Sequence, residues 1–286
     1  MSYKTILVHI NSERRLPGLL RAAMSIAERH RAHIIGLSVV PPVIVPPMSD
    51  IALAIPAVIE AHRDAYRLQE ARMKTAFDHA TQESTAPGAF TAEWRSLDAY
   101  HLASASQMIM PLARAADLVL AAQSDPNWDG TVMLDFPEML ATESGRPVLI
   151  VPNEPRAEFA AKRILVAWNG RREATRAVFD ALPLLKKADE VNVIWIDPHD
   201  DTDTAGDLPA AGLCTALARH GVKCEETASV SPRLPAGQTL LFEATKFGWD
   251  MLVMGCYGHS RLREFILGGA SRHVLSNMTI PVLMSH

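Results

Sequence analysis

The hydrophobic pattern along the chain alternates between two periods, and this alternation predicts strands and helices in turn. Short apolar runs such as Thr5–Ile10 and Leu118–Ala122 are typical of buried strands. Leu16–His30 instead carries apolar residues at positions 16, 19, 20, 23, 24 and 27, which share one face of a helix. Regular alternation of this kind favours parallel strands joined by right-handed crossovers. The pattern therefore predicts a doubly wound, Rossmann-like α/β fold.

The chain contains an internal repeat, which predicts two such units in tandem. The segment KTILVHIN at 4–11 resembles KRILVAWN at 162–169, an offset of 158 residues. Near the other end, RPVLI at 146–150 resembles TIPVL at 279–283 less closely, an offset of 134 residues. We therefore expect two five-stranded parallel-sheet domains at 1–154 and 158–286. The first is longer by 158 − 134 = 24 residues, which we assign to an insertion in the Pro-rich segment 41–65.

Three further helices are predicted from the same pattern. A long helix rich in Ala, Arg and Glu is predicted at Ile59–Thr81, after the insertion. Another is predicted at Met133–Glu143. A third is predicted at Glu173–Lys187, where Pro183 interrupts the pattern and is expected to bend the last turn.

A glycine-rich segment lies between a strand and a helix of the second unit. The apolar run Met251–Met254 predicts the strand, two glycines follow it, and a second glycine pair precedes an amphipathic helix. Glycine lets the backbone approach an anion closely, and the N–H groups at a helix N-terminus attract negative charge. The order therefore predicts a phosphate site, and the alternative is a tight turn without a ligand. The residues of this site are Gly255, Gly258, Gly268, Gly269, Ala270 and Ser271.

With these motifs the chain resembles a tandem universal stress protein. The resemblance is carried by ILVAWNG at 164–170, GCYG at 255–258 and GGAS at 268–271, against the family motif G-x2-G-x9-G-Ser/Thr. It covers essentially the whole chain and is stronger in the second half. It implies domains that dimerise through their last strands. We therefore expect the two units to pair within one chain through Pro147–Val151 and Pro281–Met284.

The resemblance also implies that the second unit binds ATP, or the related AMP or ADP, together with Mg²⁺. Two residues depart from the family pattern: Gly269 replaces a Ser or Thr, and Asn169 replaces an acidic residue. The alternative to a ligand role is a turn or helix cap for Asn169 and a core position for Trp168. The nucleotide contacts expected outside the glycine segment are Ala167, Trp168, Asn169, Trp195, Met254 and His259.

The first unit lacks the corresponding glycines. An offset of 133 places Ala122 at Gly255 and Asp125 at Gly258, and the offset of 134 places Leu134 at Gly268 and Asp135 at Gly269. Because two carboxylates would repel a polyphosphate, we expect this unit not to bind a nucleotide. Its expected role is structural, as the partner of the second unit.

Composition narrows the class of protein further. The net charge is −4 and the basic residues are scattered, which argues against nucleic acid as a partner. The three cysteines suit neither a disulfide framework nor a zinc site and favour a reducing compartment. The start of the chain lacks the pattern of a signal peptide, and prolines interrupt the apolar segment 39–59, so we expect a cytoplasmic protein without a membrane segment.

Together these features predict a regulatory stress-response protein rather than a strong catalyst. The sequence contains no G-x-S-x-G and no Walker motif, and we name no catalytic residue and no metal site; at most we expect a weak ATPase. One alternative is a nucleotide-free interaction protein that uses the fold for dimerisation. Another is a small-ligand carrier roofed by the 41–65 insertion. Assembly into a homodimer and the identity of a protein partner stay open.

Overall fold

The computed structural model describes residues 2–41, 55–83, 88–98, 105–125, 134–154, 158–196, 209–229, 234–256 and 269–286. These residues form ten strands and nine helices. The strands are β1 Thr5–His9, β2 His33–Val40, β3 Thr91–Asp98, β4 Leu118–Ala122, β5 Val148–Val151, β6 Arg163–Trp168, β7 Glu190–Ile196, β8 Glu225–Ser229, β9 Met251–Gly255 and β10 Val282–Ser285. The helices are α1 Leu16–His30, α2 Ile55–Gln82, α3 Ala105–Ala115, α4 Pro137–Glu143, α5 Arg172–Asp180, α6 Leu182–Leu185, α7 Pro209–Arg219, α8 Ala236–Lys246 and α9 Gly269–Asn277.

All ten strands belong to one sheet, in the order β3-β2-β1-β4-β5-β10-β9-β6-β7-β8. Strands within each half are parallel, and the halves meet where β5 pairs antiparallel with β10, with Leu283 opposite Leu149. Both strands are entirely buried. An unpaired apolar edge would expose backbone N–H and C=O groups, so each last strand covers the other. The predicted doubly wound α/β units, paired through their last strands, are confirmed.

Helices cover both faces of the sheet, which explains why its central strands are apolar on both sides. One face packs against α1, α2, α5, α6 and α7, as with Leu19 of α1 and Val178 of α5. The other face packs against α3, α4, α8 and α9, as with Ile109 of α3 and Val274 of α9. Within the described parts of the chain, no helix is both long enough and apolar enough to cross a membrane.

The long helix α2 begins earlier than predicted, at Ile55 rather than Ile59, and ends at Gln82. Part of the predicted insertion 41–65 is therefore helical, whereas its residues 42–54 lie outside the described residues. Helix α2 reaches the core through Met73 and Phe77. The Phe77 ring lies so close to β2 that a Cβ on Gly36 would stand 2.6 Å from its Cε2 atom.

Two further helices differ from prediction because of proline. The helix predicted at Met133–Glu143 begins at Pro137, where the fixed φ of proline suits a first helical position. The predicted helix Glu173–Lys187 is divided at Ala181 into α5 and α6. Because Pro183 has no N–H, it cannot continue the hydrogen bonding of α5.

Hydrogen bonds connect the two halves beyond the β5–β10 pairing. The Tyr3 hydroxyl donates to the carbonyl of Asp180 at 2.7 Å, and the Gln123 amide donates to the carbonyl of Leu275 at 2.7 Å. The Ser25 hydroxyl donates to the carbonyl of Phe159 at 3.1 Å. The predicted boundary between the units, at 155–157, lies outside the described residues.

Candidate functional site

The strands that carry the predicted ligand residues are neighbours. Strand β6 pairs with β9, with Val166 opposite Val253, and also with β7 on its other side. From β6 the chain builds the sheet in one direction, through β7 and β8, and then continues on the other side of β6 with β9 and β10. Ligands of doubly wound sheets bind at such a switch point, beyond the carboxyl ends of the strands. Trp168, at the end of β6, and Gly255, at the end of β9, therefore reach the same edge of the sheet.

Gly255 is required by the packing of a helix on its strand. A Cβ built on Gly255 would lie 2.4 Å from the carbonyl carbon of Glu173 and 2.6 Å from the amide nitrogen of Ala174. Both are backbone atoms of α5 and cannot move aside without moving the helix. The glycine thus lets the start of α5 rest directly on β9, whether or not a ligand binds nearby. Met254, just before it, is buried in the core.

The second glycine pair opens helix α9. Gly269 is the first residue of the helix and is exposed, and no described atom lies within 4 Å of where its Cβ would be. Ala270 is half-buried, and Ser271 is buried. Helix α9 is held tightly from behind, since a Cβ on Gly237 of α8 would lie 2.7 Å from the carbonyl oxygen of Ala270. The α9 N-terminus is therefore fixed in place by α8, and its first residue is exposed. Gly258, His259 and Gly268 lie outside the described residues.

Two tryptophans stand side by side at the ends of β6 and β7, where Trp168 is the register partner of Trp195. Trp195 is buried. Trp168 is half-buried and packs against the core, in agreement with its alternative interpretation as a core residue. The indole Nε1 of Trp168 is nonetheless enclosed and has no hydrogen-bond partner among the described residues. After β6 the chain turns over the ring of Trp195. Gly170 forms this turn with φ +70°, and a Cβ on it would lie 3.3 Å from Cη2 of Trp195.

Asn169 begins this turn and serves the helix that follows. Its side chain is exposed, and Oδ1 accepts a hydrogen bond from the N–H of Arg171 at 3.1 Å. This contact fixes the chain at the start of α5, in agreement with the turn-or-cap alternative. Ala167, two residues earlier, is half-buried against the second core cluster. The structure thus brings Ala167, Trp168, Asn169, Trp195, Met254 and Gly255 to one edge of the sheet.

A negative charge stands beside the glycine strand. The half-buried Glu173 lies at the start of α5, where its carboxylate is 3.8 Å from a guanidinium nitrogen of the exposed Arg172, and its charge acts on Cys256, the residue after β9. Burial first, and the Glu173 carboxylate second, raise the pKa of the Cys256 thiol to about 12. This thiol stays protonated, because deprotonation would place a second negative charge in the core. An anionic ligand at this edge would meet the field of Glu173, which the exposed Arg172 reduces only in part because water screens it.

At the corresponding place the first unit contains a buried ion pair. A guanidinium nitrogen of Arg15 lies 3.2 Å from a carboxylate oxygen of Asp135. The amide of Asn11 donates to the carbonyl of Leu134 at 2.8 Å, and the N–H of Asp125 donates to Asp135 at 3.0 Å. The negative charge of Asp135 is therefore balanced by Arg15, which the sequence pattern did not lead us to expect at this place. The available signal was the repeat, since the offset of 158 places Arg15 at Glu173.

The described side chains do not include a group of three or more His, Cys, Asp or Glu residues placed to hold a metal ion. A divalent cation at the second unit would therefore need oxygen atoms from a ligand as well as from Glu173. Mg²⁺ is commonly held in this manner, by one or two carboxylates together with phosphate oxygens.

Comparison with known proteins gives a family match for the second half of the chain. Residues 160–286 match the model of the Universal stress protein family, which confirms the resemblance there. A universal stress protein from Archaeoglobus fulgidus has the same architecture at a TM-score of 0.63 and 16% identity, over 98% of this chain and 97% of that chain. A Pseudomonas aeruginosa protein assigned to the same class matches at a TM-score of 0.60 and 18% identity, over 99% of this chain and 93% of that one. At these identities the likeness shows the fold, here that of a tandem protein. The chain matches none of the curated protein sequences.

Proposed function

We propose, from the premise that residues 160–286 form a universal stress protein domain, that this domain binds ATP or a related adenine nucleotide with Mg²⁺. The observation that carries the proposal is the exposed first residue of α9, Gly269, around whose Cβ position no described atom lies within 4 Å. The first N–H groups of a helix have no partner within it, so they attract a phosphate. The nine residues of α9 are fixed from behind by α8, which keeps these groups in position.

The surroundings suit the other parts of a nucleotide. The half-buried ring of Trp168, the register partner of Trp195, offers an aromatic surface to a purine or ribose at this edge. Ala167 and Asn169 border the same edge. If Mg²⁺ accompanies the nucleotide, Glu173 would supply a carboxylate ligand to it beside the phosphate oxygens, and the cation would offset the repulsion between this carboxylate and the phosphates.

The first unit is proposed to bind no nucleotide. The position equivalent to Gly269 is occupied by Asp135, whose carboxylate is already paired with Arg15. Its contribution is the strand pairing and side-chain contacts that complete the second unit. One nucleotide per chain follows from this asymmetry.

We further propose that binding serves regulation in a cytoplasmic stress response rather than rapid turnover. The described residues at the sheet edge offer Glu173 as the one carboxylate, and its proposed position beside Mg²⁺ leaves it unsuited to act as a general base. Hydrolysis is therefore expected to be slow. Nucleotide-dependent assembly, either between two copies of the chain or with a protein partner, is the expected output.

A second candidate is a nucleotide-free interaction protein, and three observations favour it. Glu173 is a negative charge at the glycine strand, Gly269 lacks the hydroxyl that the family pattern places there, and Asn169 is engaged in its own turn. Mass spectrometry of the protein as purified separates the candidates, because a co-purified adenine nucleotide excludes this second one. The third candidate, a small-ligand carrier, depends on residues 42–54, which lie outside the described residues.

Isothermal titration calorimetry tests the nucleotide proposal directly. We expect ATP with Mg²⁺ to bind with a Kd tighter than millimolar and with one nucleotide per chain. The titrations with AMP and with ATP in EDTA show whether the phosphates and the cation contribute. If none of these ligands binds more tightly than millimolar, the proposed function is wrong.

A further inference from the structure

The ion pair between Arg15 and Asp135 is nearly closed off from solvent. The two side chains are 4% and 8% exposed, and their charged atoms lie 3.2 Å apart. It stands beyond the carboxyl ends of β1 and β4, which pair directly, with Val8 opposite Leu120. This is the point of the first unit where strand order reverses. The pair therefore occupies the place in this unit where a doubly wound sheet receives a ligand.

The contacts of the Asp135 carboxylate are those with which proteins bind an anion. One oxygen faces the guanidinium of Arg15, and the other accepts the backbone N–H of Asp125 at 3.0 Å. The guanidinium is held in turn by the side-chain oxygen of Asn11 at 3.5 Å, and Asn11 is fixed by its bond to the carbonyl of Leu134. A guanidinium and a backbone N–H that converge on two oxygens form a typical oxyanion receptor.

A buried histidine adds an unused polar atom to this cluster. His9, the last residue of β1, is 2% exposed, and its ring stacks on Phe136 with the centroids 4.8 Å apart. Its Nε2 has no hydrogen-bond partner among the described residues. Burial first, and the charge of Arg15 second, lower the His9 pKa to about 4, so the ring is neutral. Buried polar atoms usually have a hydrogen-bond partner, and this one lies where the charge of Arg15 acts on its ring.

The internal repeat shows what differs between the two units. The offset of 134 equates Asp135 with Gly269, and the offset of 158 equates Arg15 with Glu173. In the second unit the space beside Gly269 holds no described atom within 4 Å, whereas in the first unit a carboxylate fills the equivalent place. The cation needed to receive that carboxylate stands where the second unit has an acidic residue.

We infer that the first unit contains an anion receptor built around Arg15, and that the carboxylate of Asp135 is its built-in occupant. The receptor accepts a small oxyanion, either a carboxylate or a phosphate, and Asp135 excludes free anions by holding that place. The contact is autoinhibitory in form, since removal of one side chain opens the receptor. A purely structural ion pair has a different consequence: its loss leaves a buried charge that no free anion can reach.

Chemical rescue distinguishes the two. Asp135→Gly copies the second unit at its equivalent position, and Asp135→Asn removes the charge while retaining an acceptor for the N–H of Asp125. Each variant is unfolded by heat in increasing sodium formate or inorganic phosphate, with sodium chloride of equal ionic strength as the reference. Any effect of these anions on the second unit appears equally in the wild-type chain and is subtracted.

We expect formate and phosphate to raise the Tm of Asp135→Gly in a saturable manner, by roughly 5 °C at about a hundred times Kd. The wild-type chain should show only the smaller rise, if any, that these anions cause through the second unit. The rise should disappear in the double variant Arg15→Met with Asp135→Gly, which lacks the receptor cation. If Asp135→Gly folds only in the presence of formate or phosphate, that dependence supports the receptor equally.

The receptor is excluded if neither Asp135→Gly nor Asp135→Asn responds to formate or phosphate beyond the wild-type chain. It is also excluded if the response persists after Arg15→Met. Neither result bears on nucleotide binding by the second unit, because the probes, the variants and the readout all concern the first.

Discussion

A Cβ atom on Gly255 would lie 2.4 Å from the carbonyl carbon of Glu173, which places the last residue of β9 in direct backbone contact with the start of α5. The glycine therefore has a packing role that the sequence pattern alone did not show. The same contact brings the Glu173 carboxylate to the edge of the sheet where the nucleotide is proposed to bind. Stability and ligand binding of the second unit are thus connected through this one position.

Substitution of Gly255 by alanine is expected to destabilise the protein by roughly 2–3 kcal/mol, because α5 must shift to admit the methyl group. The free energy of unfolding, measured by urea denaturation, checks this. Gly269→Ala is the control, since no described atom lies within 4 Å of its added Cβ. That change should stay within about 0.5 kcal/mol of the wild type. Equal stability of the two variants would contradict the packing role.

Replacement of Glu173 by glutamine should strengthen binding of ATP in the absence of Mg²⁺ by roughly fivefold, since it removes a charge that repels the phosphates. Binding of ATP with Mg²⁺ should weaken. The Kd values measured with and without Mg²⁺ should therefore differ less in the variant than in the wild type. Titration calorimetry with and without EDTA measures this. The exposed Glu225 of β8 provides the control variant Glu225→Gln. An unchanged dependence on Mg²⁺ in Glu173→Gln would place the phosphates elsewhere.

Acid should destabilise the first unit through His9. Its pKa is lowered from 6.5 to about 4 in the folded chain, so the unfolded chain takes up the proton first as the pH falls. The contribution of His9 is therefore fully present above pH 6.5 and is lost as the pH falls towards 4, by about 3 kcal/mol in total. The ring stacks on Phe136, and the charge of Arg15 acts on it.

His9→Gln isolates this contribution, because glutamine keeps polar atoms at the site and does not titrate. The difference in the free energy of unfolding between wild type and variant should shift in favour of the variant as the pH is lowered from 7 to 4. Urea denaturation at several pH values measures this difference. Parallel pH profiles of the two proteins would mean that the pKa of His9 is not lowered in the folded chain.

The sequence was sufficient for the architecture because the relevant signals are local or repeated. Apolar runs and helical spacing predict most strands and helices, and the resemblance to tandem universal stress proteins implied the β5–β10 pairing. The errors also have local causes, since Pro137 delays the start of α4 and Pro183 divides the helix after β6. Residues 164–170 and 269–271 were sufficient to locate the edge of the second unit.

The contacts that decide the chemistry of the sites were not predicted, because each joins residues far apart in the chain. Gly255 meets Glu173 only through the crossing of α5 over β9. Arg15 meets Asp135 across 120 positions, and neither residue is unusual in its own segment. Periodicity reports which side of an element faces the core, but not which charged groups meet at the ends of the strands.

Nucleotide binding by Gly269→Asp tests the central claim most directly. The substitution gives the second unit the residue that the first unit has at its equivalent position, at an exposed residue whose Cβ position has no described atom within 4 Å. Gly212→Asp on α7 adds the same charge at another exposed glycine with open space around it. We predict that the wild type and Gly212→Asp bind one ATP per chain with Mg²⁺, and that Gly269→Asp remains folded but loses this binding. Undiminished binding of ATP by Gly269→Asp would contradict a phosphate site at the start of α9.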